Sequence, residues 1–216
     1  MQLLRNFELF KQLKQQDVED ILLHIHCRNF PKKTQIVTEG DDSHSLYFLL
    51  SGKVKIYLDD DNGKEIIVNV HQAGEFFGEL GLLKSIPRTA SVLTMEDCRI
   101  GIMPEADFRR CLASYPCFAM SLIENISDRL IEATETIRKL GLMDVYSRIA
   151  VTFLNLSEEE NGIRVIHEKL TQQNIAGRVG ASREMVARIL KDLRSGGYIE
   201  QKEGKIYILK PLPHSW

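Results

Sequence analysis

Two short stretches of the chain carry side chains whose types and spacing could do chemistry. The first joins Gly78, Glu79 and Leu80 to Arg88 and Thr89 across a short insert that ends in Pro87. A glycine lets backbone approach a ligand, a carboxylate can accept from a sugar hydroxyl, and an arginine followed by a threonine can hold a phosphate by fork and hydroxyl. Glu79 and Arg88 read equally well as a buried ion pair. The second stretch runs from Thr171 to Leu190. Thr171 and Ser182 stand where hydroxyls cap helix starts, Gly180 permits a left-handed stop, and Ala176 and Ala187 are small where two helices must cross. Ile175, Val179, Val186, Ile189 and Leu190 supply a shared core, so the pattern predicts a helix-turn-helix. Two runs, Tyr198 to Gln201 and Lys205 to Leu209, flank Glu203-Gly204 and add a hairpin wing.

In the second of these helices Arg183 and Glu184 fall in the first turn and Arg188 one turn after Glu184, so all three can enter a major groove. Arginine pairs bidentately with guanine and glutamate accepts from cytosine N4. Thr171, Ser182 and the remaining cations, Lys191 among them, would hold the phosphate backbone without specifying sequence. Glu184 also has a plainer reading, a charge favoured at a helix N-terminus by the macrodipole. Charge supports nucleic acid locally rather than globally. The whole chain has 28 basic and 30 acidic residues, a net of -2, but Lys169 to Arg194 holds six basic against two acidic, a net of +4. A solvated basic helix face would look the same.

Elements that position these residues follow from periodicity. Short β-rich runs, Leu46 to Leu50, Val54 to Leu58, Ile66 to Val70 and Ala90 to Leu93, alternate with Gly and Asn-Gly turns and predict an antiparallel barrel or roll. The clearest hairpin tip is Asp59 to Gly63, a solvated turn rather than a calcium loop because no bidentate glutamate follows at the required spacing. Between Phe118 and Met143, Ile123, Ile126, Leu130, Ala133, Ile137 and Leu140 recur at steps of three and four. That seam suits a two-stranded coiled coil, or a helix lying on its own domain. Ala133 thins the seam and Thr134 places a hydroxyl beside the gap, where a small ligand could lie.

Composition narrows the classes. With 216 residues, 44% hydrophobic and 27% charged, the chain can bury a real core and is neither fibrous nor disordered. It lacks the roughly 18 to 20 consecutive apolar residues of a membrane span. Met1 to Leu13 reads as an amphipathic helix rather than a signal peptide. Four scattered cysteines, Cys27, Cys98, Cys111 and Cys117, fit a reducing interior and hence the cytoplasm. His24, His26 and Cys27, taken as helical, do not share a face as metal ligands do. His71 stands alone on a strand as a core or surface residue rather than a haem ligand. No nucleophile elbow, P-loop or zinc-protease helix is present, so an enzyme is not expected.

Gly78-Glu79-Leu80 with Pro87-Arg88-Thr89-Ala90 resembles the phosphate-binding cassette of cyclic-nucleotide-binding domains. Ala181 to Lys191 resembles the recognition helix of the bacterial CRP/FNR regulators, and Leu142 to Ala150 resembles their hinge. The resemblance covers nearly the whole chain, is closest to the cAMP receptor pattern, and implies an α+β protein in three parts. These are an N-terminal antiparallel β-roll over 1–117, a dimerisation helix over 118–143 and a winged helix-turn-helix over 144–216. It gives Glu79 to a ribose hydroxyl, Arg88 and Thr89 to a cyclic phosphate, Gly78 and Leu80 to the cassette backbone, and Thr134 to the adenine. It gives Arg183, Glu184 and Arg188 to the bases of a palindrome with TGTGA-like half-sites.

The implied effector is cAMP, with no metal, haem or iron–sulfur cluster. The implied partners are double-stranded DNA, a second copy of the chain and RNA polymerase, without a membrane. Three departures qualify the likeness. Ala133 replaces the first of two adjacent hydroxyls on the dimer helix. The segment before Arg88 is one residue shorter than in the enteric regulator, though similar to that of eukaryotic cAMP-binding modules. The loop Ser157 to Gly162 is short and acidic where such regulators touch RNA polymerase. Alternatives are cyclic di-GMP or another effector, DNA binding without ligand, and a ligand-binding protein whose helix-turn-helix is structural.

Overall fold

The computed structural model describes residues 7–60, 65–160 and 162–213. The expected hairpin tip at Asp61, Asn62 and Gly63, and Met1 to Asn6 of the expected amphipathic helix, lie outside them. Internal contacts divide the chain into two compact units, Met1–Leu58 with Ile67–Glu132 and Asp59–Ile66 with Ala133–Trp216.

The first unit is built on two four-stranded antiparallel sheets. One contains β1 (His26–Phe30), β8 (Cys98–Pro104), β3 (Ser45–Ser51) and β6 (Phe76–Phe77) in that order; the other contains β2 (Gln35–Val37), β7 (Ser91–Thr94), β4 (Lys53–Asp59) and β5 (Glu65–Gln72). The four β-rich runs set between turn signals form β3, β4, β5 and β7. Strands β1, β2, β6 and β8 lack that signal because they are short or exposed, or carry charges: β1 has a single partly buried residue and holds its place by full pairing with β8. This corrects the helical reading of His26 and Cys27, which lie on a strand, while α1 (Gln15–Leu22) ends before them.

Glu8 to Leu13 does not continue a helix either. It makes one 3-10 turn at Glu8–Phe10, and Phe7, Leu9 and Phe10 are all buried in the same core, a spread of apolar contact wider than the narrow stripe of an amphipathic helix. The core is aromatic: Phe10 stacks on Phe48 and Phe118, and Phe7 meets Phe48 edge-on. Two short helices, α2 (Glu79–Lys84) and α3 (Glu105–Ser114), accompany the sheets. Helix α3 passes through Tyr115 into α4 (Pro116–Leu142), whose first turns bury Phe118 and Leu122 against this core. Further along, Ile123, Leu130 and Ile137 of the apolar seam are 54%, 67% and 70% exposed.

The second unit packs α5 (Val145–Leu156), α6 (Gln172–Val179) and α7 (Arg183–Ser195) with a four-stranded sheet. Its strand order is β11 (Ile199–Lys202), β12 (Lys205–Ile208), β10 (Ile163–Ile166) and β9 (Glu158–Glu160). The segment expected to be a loop from Ser157 to Gly162 thus contributes a strand. Three consecutive glutamates have poor strand propensity, but β9 is an exposed edge and sets Glu159 opposite Arg164, where opposite charges favour pairing. Asn161 lies outside the described residues. Asp144 caps α5 by accepting from the Ser147 N–H at 2.7 Å, which holds its carboxyl below the usual aspartate range. No helix among the described residues is long and apolar enough to cross a membrane.

Candidate ligand cassette and nucleic-acid face

In the first unit the chain leaves β6, turns at Gly78 and enters α2 with Glu79 as its first residue. Gly78 has φ +90°, and a Cβ there would lie 2.6 Å from Arg88 Nη1 and 3.2 Å from the Ser45 carbonyl, so both space and backbone call for glycine. Arg88 is 6% exposed. Its Nη1 donates to the Gly78 carbonyl and its Nη2 to the Ser45 carbonyl, each at 2.9 Å, and its guanidinium lies 5.4 Å from the centre of the Tyr47 ring. Burial pulls the group below its ordinary value, opposed by Tyr47 and by the Glu79 and Asp41 carboxylates; a guanidinium remains charged at neutral pH even so.

Glu79 is 3% exposed but does not form the ion pair with Arg88 that the sequence allowed. Its partner is Arg129 of α4, whose Nη1 donates to Oε1 at 3.0 Å and whose Nη2 donates to the Phe76 carbonyl at 2.6 Å. The other carboxylate oxygen, Oε2, is buried with no hydrogen-bond partner among the described residues. Arg88 and Glu79 are therefore each held from a different side, leaving acceptor capacity on Glu79 and spare N–H groups on Arg88. Leu80 and Thr89 are exposed on either side of this cassette, and Thr134 is exposed on α4.

Sequence reasoning missed Arg129. A signal existed: it is the sole cation between Arg110 and Arg138, in a stretch otherwise acidic. His71 is 1% exposed, a core residue whose Nδ1 lies 2.9 Å from Glu75 Oε1 as a close contact outside hydrogen-bond angles. His24 instead faces Asp107 at 3.3 Å.

In the second unit, Thr171 caps α6 with a reciprocal pair of bonds to Asn174. Gly180 ends the helix at φ +61°, and Ser182 caps α7 by accepting from the Met185 N–H at 3.2 Å. Ile175, Ala176, Val179, Val186, Ile189 and Leu190 bury the crossing. That burial turns Arg183, Glu184, Arg188 and Lys191 outward, all exposed. The Arg188 Nη2 contacts Met185 Sδ at 2.9 Å, and Thr171, Gln172, Gln173 and Arg183 line one shallow depression between the two helix starts. Arg178, counted in the basic run, is spent on Glu168 at 2.7 Å, so the free positive face is smaller than the sequence count. The wing turns at Glu203 and Gly204, both at positive φ, the two-residue hairpin geometry that Glu-Gly suggested.

A β-roll whose cassette buries a carboxylate and a guanidinium, followed by a winged helix-turn-helix, defines a ligand-responsive DNA-binding protein. Comparison with known proteins agrees. Residues 27–115 match the model of the cyclic nucleotide-binding domain and residues 147–212 that of the Crp-like helix-turn-helix domain. The chain is 32% identical over 203 residues to the cAMP-activated global transcriptional regulator Vfr of Pseudomonas aeruginosa, covering 91% of this chain and 94% of that protein. It is 34% identical over 185 residues to the cAMP-activated global transcriptional regulator CRP of Haemophilus influenzae, covering 82% and 81%. The solved structure of CLP, described as a c-di-GMP-responsive global regulator of Xanthomonas campestris, superposes with a TM-score of 0.81 at 26% identity, covering 91% of this chain and all of that one. The chain belongs to the CRP/FNR family of bacterial transcription regulators: a cyclic-nucleotide-binding domain joined to a DNA-binding helix-turn-helix, and not an enzyme.

Proposed function

We propose that this regulator responds to cAMP and acts in the cytoplasm as a homodimer on a palindrome with TGTGA-like half-sites. The observation that carries the reading is the half-used Glu79 carboxylate, buried with no hydrogen-bond partner for Oε2 among the described residues, in the same cassette as an Arg88 already fixed by two carbonyls. In this reading Glu79 accepts from the ribose hydroxyl, and Arg88 and Thr89 take the cyclic phosphate. Gly78 and Leu80 shape the approach, and Thr134 meets the purine. The exposed Ile123, Leu130 and Ile137 stripe pairs with its copy. Arg183, Glu184 and Arg188 read bases, while Thr171, Ser182 and Lys191 hold phosphates. Ligand binding shifts α4 and the hinge at Asp144, with a coupling of about 1 to 3 kcal/mol typical of such effectors. RNA polymerase is the protein partner.

A second reading keeps the regulator and replaces cAMP with cyclic di-GMP or another effector; the likeness to CLP favours it, as does Ala133 at the first of the two hydroxyl positions. Fluorescence anisotropy with a TGTGA/TCACA palindrome and a scrambled duplex, at one near-physiological salt, separates the two. Specific binding that requires cAMP supports the first. Specific binding indifferent to cAMP supports the second, and equal weak binding to both duplexes would reduce the helix-turn-helix to a structural element.

A further inference from the structure

The cassette is gripped at its entrance by Arg129 from α4, and a second arginine meets its exit. Arg109 of α3 donates from Nη2 to the Leu82 carbonyl at 2.9 Å and to Ser85 Oγ at 3.0 Å, while its Nε is oriented by Glu105 Oε1 at 2.8 Å. Helix α2 has only six residues, so its last carbonyls depend on partners outside the helix. The Gly81 carbonyl takes the N–H groups of Ser85 and Ile86, and the Leu82 carbonyl falls to Arg109. Ser85 itself sits at φ +53°, a left-handed conformation unfavourable for a residue with a Cβ. Three residues on, the Arg88 backbone is tied on its far side: its N–H donates to Asp41 and its carbonyl accepts from Gly40. The exposed turn from Ser85 to Pro87 is thus the link between α2, which carries Glu79, and Arg88.

We propose that Arg109 is a positioning residue for the ligand cassette: by holding Ser85 in its left-handed turn it sets the spacing of Glu79 and Arg88. Two successive helices thus hold the two ends of the cassette, α3 with Arg109 at the exit and α4 with Arg129 at the entrance, separated by the non-helical Tyr115. The proposal rests on the reading of residues 78–89 as the ligand site, but its first test does not need the ligand.

In the full, ligand-free chain, Arg109→Gln is expected to speed hydrogen exchange of the Ser85 and Ile86 amides about tenfold, the effect of losing one charge-assisted hydrogen bond. Adding Ser85→Gly is expected to slow that exchange again, since glycine takes the left-handed turn without help. Unchanged exchange in Arg109→Gln, or no recovery in the double variant, overturns the clamp. In calorimetry with cAMP, Arg109→Gln is expected to weaken binding about five- to tenfold and the double variant to regain most of it. A parent protein that ignores cAMP would defeat the proposed effector, while the exchange experiment would still decide the clamp.

Discussion

Arg88 and Arg188 are the same residue type in opposite settings. Arg88 is nearly inaccessible, fixed by two backbone carbonyls from different elements and laid against Tyr47. Arg188 stands on the exposed face of α7 with a methionine sulfur as its contact. The cassette thus fixes its charges by hydrogen bonds at the cost of burying them, whereas α7 leaves its charges hydrated and fixes only the backbone that carries them. A small ligand offers few contacts, so preorganisation sets its affinity. A duplex offers many phosphates, and exposed, adaptable side chains suffice to engage it.

The comparison breaks most visibly at Arg129. Replacing it with Ala leaves Glu79 buried without its cation, and the first unit should lose about 2 to 4 kcal/mol in denaturant unfolding. A loss below about 1 kcal/mol would mean that the cassette's charges are not held by burial and pairing. Arg88→Ala should weaken cAMP binding by roughly 1.5 to 3 kcal/mol; calorimetry with unchanged affinity would remove Arg88 from the site. On the other side, Arg188→Ala should cost about 1 to 3 kcal/mol on the specific palindrome and relax one base preference. Equal weakening on scrambled DNA would make it a phosphate contact.

Smaller effects sharpen the contrast. Ser182→Ala removes the α7 cap and should destabilise the second unit by about 1 kcal/mol, with base preference retained if the exposed side chains alone specify sequence. Glu75 gives the pH arm. Burial would raise its carboxyl, but His71 and the Gln72 N–H outweigh that and hold it below the ordinary 4.5. A depressed carboxylate contributes its stability fully above the ordinary value and loses it as pH falls through the lower folded one. Glu75→Gln should therefore flatten that part of the first unit's acid unfolding curve; an unaltered curve would show that the His71 contact contributes nothing.

The helix-turn-helix is largely legible in the sequence because its determinants are local. Caps at Thr171 and Ser182, the stop at Gly180 and the core from Ile175 to Leu190 are all set within one or two helical turns along the chain. Strands β3, β4, β5 and β7 are legible for the same reason, as short runs rich in β-branched and aromatic residues between turn signals. Strand β1 is not, since most of its residues are polar or exposed and its place depends on a partner, β8, some seventy residues away. Three glutamates in β9 conceal a strand that only its pairing with β10 stabilises.

Spacing along the chain alone therefore sets much of what this protein is: the order of the elements, the presence of a cassette with a carboxylate and an arginine, and the outward face of α7. Packing in three dimensions chose which charges meet. It gave Glu79 to Arg129 rather than to Arg88, set Arg88 on the Gly78 and Ser45 carbonyls, withdrew Arg178 from the basic face by pairing it with Glu168, and brought Arg109 to the end of α2. Ion pairs are chosen by where burial places the two side chains in space, and sequence separation carries no information about that until the sheets and helices have packed.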